Sequence, residues 1–191
     1  MRPRAVIFDL DGTLTEPLLD FDLIRAEIGL QPGPILEQLV GLGEEERARA
    51  EVILRRHEIT AIEQAVLADG CEELLGFLRE EAIPHGILTR NMRVAVEHFC
   101  ERFGFRFAGS YTREDGPPKP APDGVHRLCD GFGVAPALAI TVGDYKFDVM
   151  AGRAAGTRTA LVAPEPPDDL AAWGSPDLVV PSLRELLRLW E

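Results

Sequence analysis

The chain has 191 residues, of which 46% are hydrophobic, and its 32 acidic and 20 basic side chains give a formal net charge of −12 at pH 7. This length predicts one domain or one domain with an insertion, and the apolar content excludes a disordered chain. The acidic balance argues against nucleic acid or an anionic membrane as a partner, because both require a basic surface.

Two further features concern the compartment in which the protein works. No apolar run approaches the roughly 18 residues of a membrane span. The three cysteines, Cys71, Cys100 and Cys129, form no closely spaced pair that would indicate zinc binding. We therefore expect a cytoplasmic protein without disulfides. The oligomeric state stays open between a monomer and a homodimer.

In chain order, short and continuously apolar runs alternate with segments of helical periodicity. The predicted strands are residues 4–10, 85–89, 105–109, 138–144, 157–162 and 178–180. The predicted helices between and after them are residues 71–81, 93–103, 123–132, 148–155 and 181–190, the last starting at Ser182. This alternation predicts an α/β fold with a doubly wound, parallel, Rossmann-like sheet that has helices on both faces.

Residues 16–69 interrupt the alternation, because they have helical periodicity and contain no strand candidate. We predict helices over residues 21–29, 34–40 and 44–68. The last of these has an apolar stripe of Val52, Ile53, Ile59, Ile62, Val66 and Leu67. We therefore expect residues 16–69 to form a small helical cap inserted after the first strand, and residues 1–15 and 70–191 to form the catalytic core.

Open parallel sheets bind ligands at the carboxyl ends of their strands, where four polar clusters are expected to converge. These clusters are Asp9 with Asp11, Thr89, Lys119 in a proline-rich loop, and Asp144 with Asp148. Residues two apart in an extended stretch face the same side, so both carboxylates of the first cluster can reach one centre. Residues four apart share one face of the first turn of a helix, which brings the last two carboxylates together.

The charges of these residues predict a metal and an anion. Four carboxylates in one cleft repel each other strongly, and a divalent cation relieves this repulsion. An all-oxygen ligand set suits Mg²⁺, which also binds substrate phosphates. Lys119 and the donors at Thr89 add positive field. We therefore expect a phosphate-like anion held by a metal and a lysine, next to a carboxylate able to attack it.

The clusters together resemble a known family. The Asp9-Leu-Asp-Gly-Thr-Leu segment, Thr89 at a strand end, Lys119-Pro-Ala-Pro and the Gly143-Asp-Tyr-Lys-Phe-Asp segment are similar to the four ordered motifs of the haloacid dehalogenase superfamily. The resemblance extends from residue 4 to about residue 162. The helical insertion looks like the small-cap type of this family, and its length and position resemble the phosphoglycolate phosphatase branch.

The resemblance implies roles in the reaction for four residues. Asp9 is the implied nucleophile, which attacks phosphorus to give an aspartyl-phosphate. Asp11 is the implied acid that protonates the leaving alkoxide and then activates water. Thr89 and Lys119 are the implied ligands of the phosphoryl oxygens, and we predict an additional phosphate contact from Arg90, which stands where the family often has asparagine.

The resemblance also implies a metal site. Mg²⁺ would be held by the Asp9 carboxylate, the Asp11 backbone carbonyl and Asp144, while Asp148 would orient a metal-bound water or Lys119. Position 145, which is often a small hydroxyl residue in the family, is tyrosine here. The implied activity is that of a Mg²⁺-dependent phosphatase acting on a small phosphomonoester, with phosphoglycolate preferred from the branch resemblance.

Two alternatives stay open at this point. A phosphomutase or phosphotransferase of the same superfamily would use the same aspartyl-phosphate but pass the group to a second hydroxyl. A non-catalytic phospholigand-binding protein would need no nucleophile. Dehalogenases of this fold lack an acid two residues after the nucleophile, so Asp11 favours phosphate ester chemistry over carbon–halogen chemistry.

Overall fold

The structure, a computed structural model, describes residues 2–191 and divides the chain into two compact units. One unit comprises the residues up to Pro17 together with Val66–Glu191, and the other comprises Leu18–Ala65. The chain segments that leave and re-enter the first unit pair through backbone hydrogen bonds, from Glu16 N–H to Val66 C=O (2.9 Å) and from Ala68 N–H to Leu14 C=O (3.0 Å). Residues 16–17 and 66–69, which we assigned to the insertion, therefore lie in the first unit.

The first unit is built on a six-stranded sheet whose order is β3-β2-β1-β4-β5-β6, and every neighbouring pair is parallel. The strands are β1 (Ala5–Phe8), β2 (His85–Leu88), β3 (Gly109–Tyr111), β4 (Ala139–Gly143), β5 (Arg158–Val162) and β6 (Leu178–Val180). This confirms the predicted doubly wound α/β fold. The winding direction reverses between β1 and β4, and ligands of such sheets bind in the crevice at that reversal.

Eight α-helices complete the described chain. They are α1 (Phe21–Ile28), α2 (Ile35–Val40), α3 (Glu44–Gln64), α4 (Cys71–Glu80), α5 (Arg93–Phe103), α6 (Asp123–Phe132), α7 (Lys146–Ala155) and α8 (Leu183–Arg188). Ser182 caps α8 by accepting a hydrogen bond from Glu185 N–H. Within residues 2–191, no helix combines the length and the apolar character that crossing a bilayer requires.

The continuous apolar sequence of the central strand follows from its position. All four residues of β1 are fully buried, because the strand has sheet neighbours on both sides and helices cover such parallel sheets on both faces. Strand β4 is likewise buried along its whole length. The two strands beside the reversal, β1 and β4, are therefore the most buried part of the sheet. The residues that follow their carboxyl ends are attached to this buried backbone.

The unit formed by Leu18–Ala65 contains α1, α2 and α3 and has its own small apolar core of Ile24, Ile35, Leu39, Ala50 and Leu54. The predicted apolar stripe of α3 is wrong at Val52, which is 70% exposed, and right at Ile62, which is buried together with Ala50, Leu54 and Ala61. Small alanines at helical spacing carry this face, whereas the prediction weighted the larger side chains. The role of this segment as a cap stays a prediction.

Three other predicted boundaries are corrected. The third strand is Gly109–Tyr111 and not residues 105–109. Phe105 and Phe107 instead pack on Phe99 of α5, and their ring centroids lie 5.8 and 6.2 Å from that of Phe99. The alternating phenylalanines therefore reflect an aromatic cluster and not a strand. Helix α3 ends at Gln64 and not at residue 68, because the following residues pair with the segment after β1. Strand β1 ends at Phe8, which places Asp9 and Asp11 in the turn that follows it.

Candidate active site

The turn after β1 places the first aspartate against the end of β4. Asp9 N–H donates to Val142 C=O (2.9 Å), and Oδ1 of Asp9 accepts a hydrogen bond from Leu10 N–H (2.7 Å). Gly12 lies in this turn with φ +82°, a conformation that side chains oppose. A Cβ atom at Gly12 would lie 2.4 Å from Oδ2 of Asp144. Glycine is therefore required at position 12 both by the backbone conformation and by the close approach of the Asp144 carboxylate.

The segment from β4 to α7 places two further carboxylates. Thr13 is fully buried, and its Oγ1 donates a hydrogen bond to Oδ1 of Asp144 (3.1 Å). Asp148 lies in the first turn of α7, where Oδ2 accepts a hydrogen bond from Tyr145 N–H (3.1 Å). A Cβ at Gly143 would lie 2.0 Å from Cγ of Asp148, so the absence of a side chain there lets the carboxylate lie against the strand end.

Lys119 contacts one aspartate from each of these two segments, Asp9 after β1 and Asp148 in α7. Its Nζ lies 2.8 Å from Oδ1 of Asp9 and 2.5 Å from Oδ1 of Asp148, and the side chains of Lys119 and Asp148 are each 2% exposed. Burial opposes the charged form, but the negative charges of Asp148 and Asp9 outweigh it, so the pKa of Lys119 is raised. A buried lysine thus stays protonated beside the predicted nucleophile.

The carboxylates of Asp9, Asp144 and Asp148 form a compact group, in which one oxygen from each lies within 4.8 Å of the others. Burial, followed by the negative charges of Asp9 and Asp148, raises the pKa of Asp144 to about 8. Burial raises the pKa of Asp148 to about 6, against the opposing effect of Lys119. One ammonium does not balance three carboxylates. The donor set and its excess negative charge fit a hard divalent cation such as Mg²⁺.

Asp11, Thr89 and Asn91 form a second hydrogen-bonded group. Thr89 follows β2 and is buried, and its Oγ1 accepts a hydrogen bond from Asn91 N–H (3.0 Å). Nδ2 of Asn91 donates to Oδ2 of Asp11 (3.0 Å). Among residues 2–191, the metal-suited group contains Asp9, Asp144 and Asp148, and the Asp11 carboxylate is not part of it. The structure therefore separates the carboxylate of Asp11 from the three that suit a cation.

Arg90 packs against the loop that carries Lys119. Its Nη1 donates a hydrogen bond to the backbone carbonyl of Lys119, and its guanidinium lies over the ring of Phe147, 4.9 Å from the centroid. Tyr145, which is 43% exposed, packs edge-on against Phe147 and Trp173. These contacts support a role for Arg90 in holding the loop, while its predicted contact with phosphate stays a prediction.

Sequence reasoning assigned no role to Thr13 or Asn91, although each donates a hydrogen bond to one of the aspartates described above. Their partners are 131 and 80 residues away in sequence, so local spacing could not identify them. The available signal was position: Thr13 lies within the Asp-Gly-Thr turn, and Asn91 lies between the end of β2 and the start of α5.

The fold and this group of residues define a hydrolase of the haloacid dehalogenase type. The model of the haloacid dehalogenase-like hydrolase family matches residues 18–162, and the chain belongs to this family. A haloacid dehalogenase-like hydrolase domain-containing protein of Arabidopsis thaliana is 33% identical over 100% of this chain and 84% of its own length.

Two further relatives are named as phosphatases. The N-acetylmuramic acid 6-phosphate phosphatase of Pseudomonas aeruginosa is 32% identical over 98% of this chain and 94% of its own length. The phosphoglycolate phosphatase of Xanthomonas campestris is 29% identical over 90% of this chain and 84% of its own length. Among solved structures, a hydrolase from Pseudomonas syringae superposes with a TM-score of 0.81 over 98% of this chain and 97% of that chain. Its 18% identity establishes likeness of fold.

Proposed function

We propose that this protein is a Mg²⁺-dependent phosphatase that hydrolyses a small phosphomonoester through an aspartyl-phosphate on Asp9. The observation that carries the proposal is the position of Lys119, whose buried ammonium lies 2.8 Å from the carboxylate of Asp9. A lysine held in this way attracts a phosphate to the carboxylate of Asp9, which we propose as the nucleophile. The phosphatase names of the relatives from P. aeruginosa and X. campestris support the same reaction class.

In the first step, a carboxylate oxygen of Asp9 attacks the phosphorus of the ester. The P–O bond to the leaving alcohol breaks, and Asp11 gives a proton to the departing oxygen. In the second step, Asp11, now ionised, takes a proton from a water molecule that attacks the aspartyl-phosphate. Asp9 is released as a carboxylate and orthophosphate leaves, so Asp11 returns to its protonated form.

The other residues bind and orient the phosphoryl group. We assign Lys119 and Thr89 to its oxygens, where the ammonium and the donors of the Thr89 loop balance negative charge that would repel Asp9. We also propose that Arg90 contacts the phosphate. Mg²⁺ would be held by the Asp9 carboxylate, the Asp11 backbone carbonyl and Asp144, while Asp148 would orient a metal-bound water or Lys119. When bound, the cation would neutralise charge on the phosphoryl group.

The substrate is proposed as a small phosphorylated metabolite. The names of the relatives differ in substrate, between a phosphorylated sugar acid and phosphoglycolate, so family membership supports the reaction class and leaves the alcohol open. Phosphoglycolate stays the preferred substrate from the branch resemblance. Both names describe phosphate monoesters of small acids, and we take this class as the starting point for assays.

The experiment is phosphate release from para-nitrophenyl phosphate, phosphoglycolate, several sugar phosphates, nucleotides and pyrophosphate, with Mg²⁺ or with EDTA. The parent, Asp9→Asn and the surface control Asp130→Asn, which changes an exposed carboxylate on α6, are compared. We expect metal-dependent release by the parent and the control, and a loss of at least about 100-fold in Asp9→Asn. Mass spectrometry after acid quenching should find one phosphoryl group on the peptide that contains Asp9.

Two results would overturn the proposal. One is release from none of these esters by folded parent protein in Mg²⁺. The other is activity of Asp9→Asn within about tenfold of the parent, since a carboxamide is a far weaker nucleophile than a carboxylate.

A further inference from the structure

We infer that Asn91 is a positioning residue that orients the Asp11 carboxylate for proton transfer to the leaving alcohol. The inference rests on the proposed function, in which Asp11 supplies that proton. It adds a residue to which the sequence assigned no role, and it connects the predicted phosphate-binding turn at Thr89 with the predicted acid.

The hydrogen bonds of Asn91 determine which way its side chain faces. Oδ1 accepts from Met92 N–H (2.7 Å), and only the oxygen of an amide can accept from a backbone N–H. Nδ2 must therefore point the other way, and it lies 3.0 Å from Oδ2 of Asp11. The backbone N–H of Asn91 donates to Oγ1 of Thr89 (3.0 Å), which fixes the residue at both ends. The side chain is buried, with Asn91 3% exposed.

The neutral charge of the amide is important for the proposed role. A cation at the same place would form an ion pair with Asp11 and hold it as a carboxylate, which cannot deliver a proton. A neutral donor restricts the rotation of the carboxyl group without placing a charge beside it. Proton transfer depends on such placement, because the acid must lie within hydrogen-bond reach of the departing oxygen.

A positioning role makes a specific prediction about substrates. An alkoxide is a poor leaving group and requires a proton as the P–O bond breaks, whereas para-nitrophenolate leaves without one. Misplacing Asp11 should therefore slow phosphoryl transfer from an alkyl ester far more than transfer from para-nitrophenyl phosphate. The parameter to compare is kcat/KM, because it reports the steps up to formation of the aspartyl-phosphate and excludes the hydrolysis step that Asp11 also serves.

Asn91→Asp is the sharpest variant, because it has the same shape and keeps an oxygen for Met92 N–H while replacing the donor that faces Asp11. Asn91→Ser is the second variant, since its short side chain can still accept from Met92 N–H but cannot span to Asp11. We expect kcat/KM in Mg²⁺ to fall at least tenfold more for the best alkyl phosphate than for para-nitrophenyl phosphate. Gln38→Glu is the control, as it makes the same amide-to-carboxylate change in the Leu18–Ala65 unit.

Asp11→Asn separates the possible failures. The proposed function requires Asp11→Asn to discriminate between the two substrates more strongly than either Asn91 variant does. If Asp11→Asn discriminates and the folded Asn91 variants lose activity equally on both esters, or lose none, Asn91 only anchors its loop and the inference is wrong. If the parent shows no Mg²⁺-dependent turnover, or Asp11→Asn shows no discrimination, the proposed function fails instead. Circular dichroism and thermal unfolding establish that each variant is folded.

Discussion

Nζ of Lys119 lies 2.5 Å from Oδ1 of Asp148, and both side chains are almost completely removed from solvent. The carboxylate is itself fixed by Tyr145 N–H at the start of α7, so the helix determines where the ammonium is held. Because the same ammonium contacts Asp9, the predicted nucleophile and the helix are connected through one lysine. We therefore expect Asp148 to influence the proposed reaction through the position of Lys119.

Asp148→Ala tests this connection. Removing one partner of a buried ion pair costs about 3–5 kcal/mol when the other charge is left alone. Here Asp9 still contacts Lys119, and burial already disfavours the charged form of Asp148. We therefore expect a smaller loss, about 1 kcal/mol in the free energy of unfolding, together with a fall in kcat of about 10–100-fold. Urea denaturation and phosphate release measure the two effects.

Asp130→Ala is the matched control for Asp148→Ala, because Asp130 is an exposed aspartate on α6. A surface substitution of this kind changes stability by no more than about 0.5 kcal/mol. If Asp148→Ala unfolds at the same urea concentration as Asp130→Ala and keeps the kcat of the parent, Asp148 does not hold Lys119 in the way described.

Asp144 predicts a pH dependence of stability in the metal-free protein. Its pKa in the folded protein is about 8, against an ordinary value of 3.8, so the folded state binds this proton more tightly than the unfolded state. Stability is then lost as the pH rises from about 4 to about 8 and stays level above that. Asp144→Asn carries no such charge. Thermal unfolding in EDTA should therefore show the variant gaining on the parent between pH 5 and pH 8.5.

The size of this gain is limited by the partial exposure of Asp144, so we expect about 2 kcal/mol at pH 8.5, or about 5 °C in Tm. Adding Mg²⁺ should make the parent more stable than Asp144→Asn, because a cation that binds the folded state stabilises it. The variant lacks one of the proposed carboxylate ligands and should gain less from the cation. A difference in Tm between the two proteins that is the same at every pH would contradict the raised pKa.

Gly12→Ala should lose activity, and a second glycine variant separates this loss from the effect of backbone strain. In Gly12→Ala the new Cβ would lie 2.4 Å from Oδ2 of Asp144, so the carboxylate or the turn has to move. Gly156→Ala is the control, since Gly156 has a nearly equal φ of +85° and a Cβ there meets nothing within 4 Å. The positive φ alone should cost both variants about 1 kcal/mol of stability. Gly12→Ala should lose more than Gly156→Ala, because only its Cβ collides with Asp144.

Only Gly12→Ala should also lose activity, by at least about tenfold in kcat/KM, because it alone displaces a predicted ligand of the metal. Phosphate release at saturating Mg²⁺ and thermal unfolding of both variants measure the comparison. Equal activity losses in the two glycine variants would mean that the strained backbone, and not the contact with Asp144, is responsible.

The sequence predicted the sheet because its strands are buried on both faces and therefore read as continuous apolar runs. It also indicated that Asp9, Lys119, Asp144 and Asp148 meet, since the carboxyl ends of parallel strands share one edge. It could not reveal which oxygen faces which donor. The bonds from Thr13 to Asp144 and from Asn91 to Asp11 depend on tertiary packing across loops that are distant in the chain.

The errors in the helical segment have a related cause. Val52 and Ile59 are large and apolar, so the prediction placed them in the core of α3, yet both are exposed. The face that α3 buries includes Ala50 and Ala61, whose small side chains allow close packing, and also the acidic residue Glu58. Hydrophobic periodicity weights size and apolarity, and it fails where packing selects small residues.

Thr13 gives the last prediction, which concerns affinity for Mg²⁺. Its Oγ1 donates to Oδ1 of Asp144 and restricts the carboxylate that we propose as a metal ligand. Thr13→Val has nearly the same shape but no donor, and we expect the Mg²⁺ concentration at half-maximal activity to rise about 10-fold, the lower end of the effect of losing a residue that orients a metal ligand. Thr13→Ser keeps the hydroxyl and should stay within about twofold of the parent. If Thr13→Val stays within about twofold of the parent, or if Thr13→Ser shifts as far as Thr13→Val although it keeps the hydroxyl, the hydrogen bond to Asp144 does not determine metal affinity.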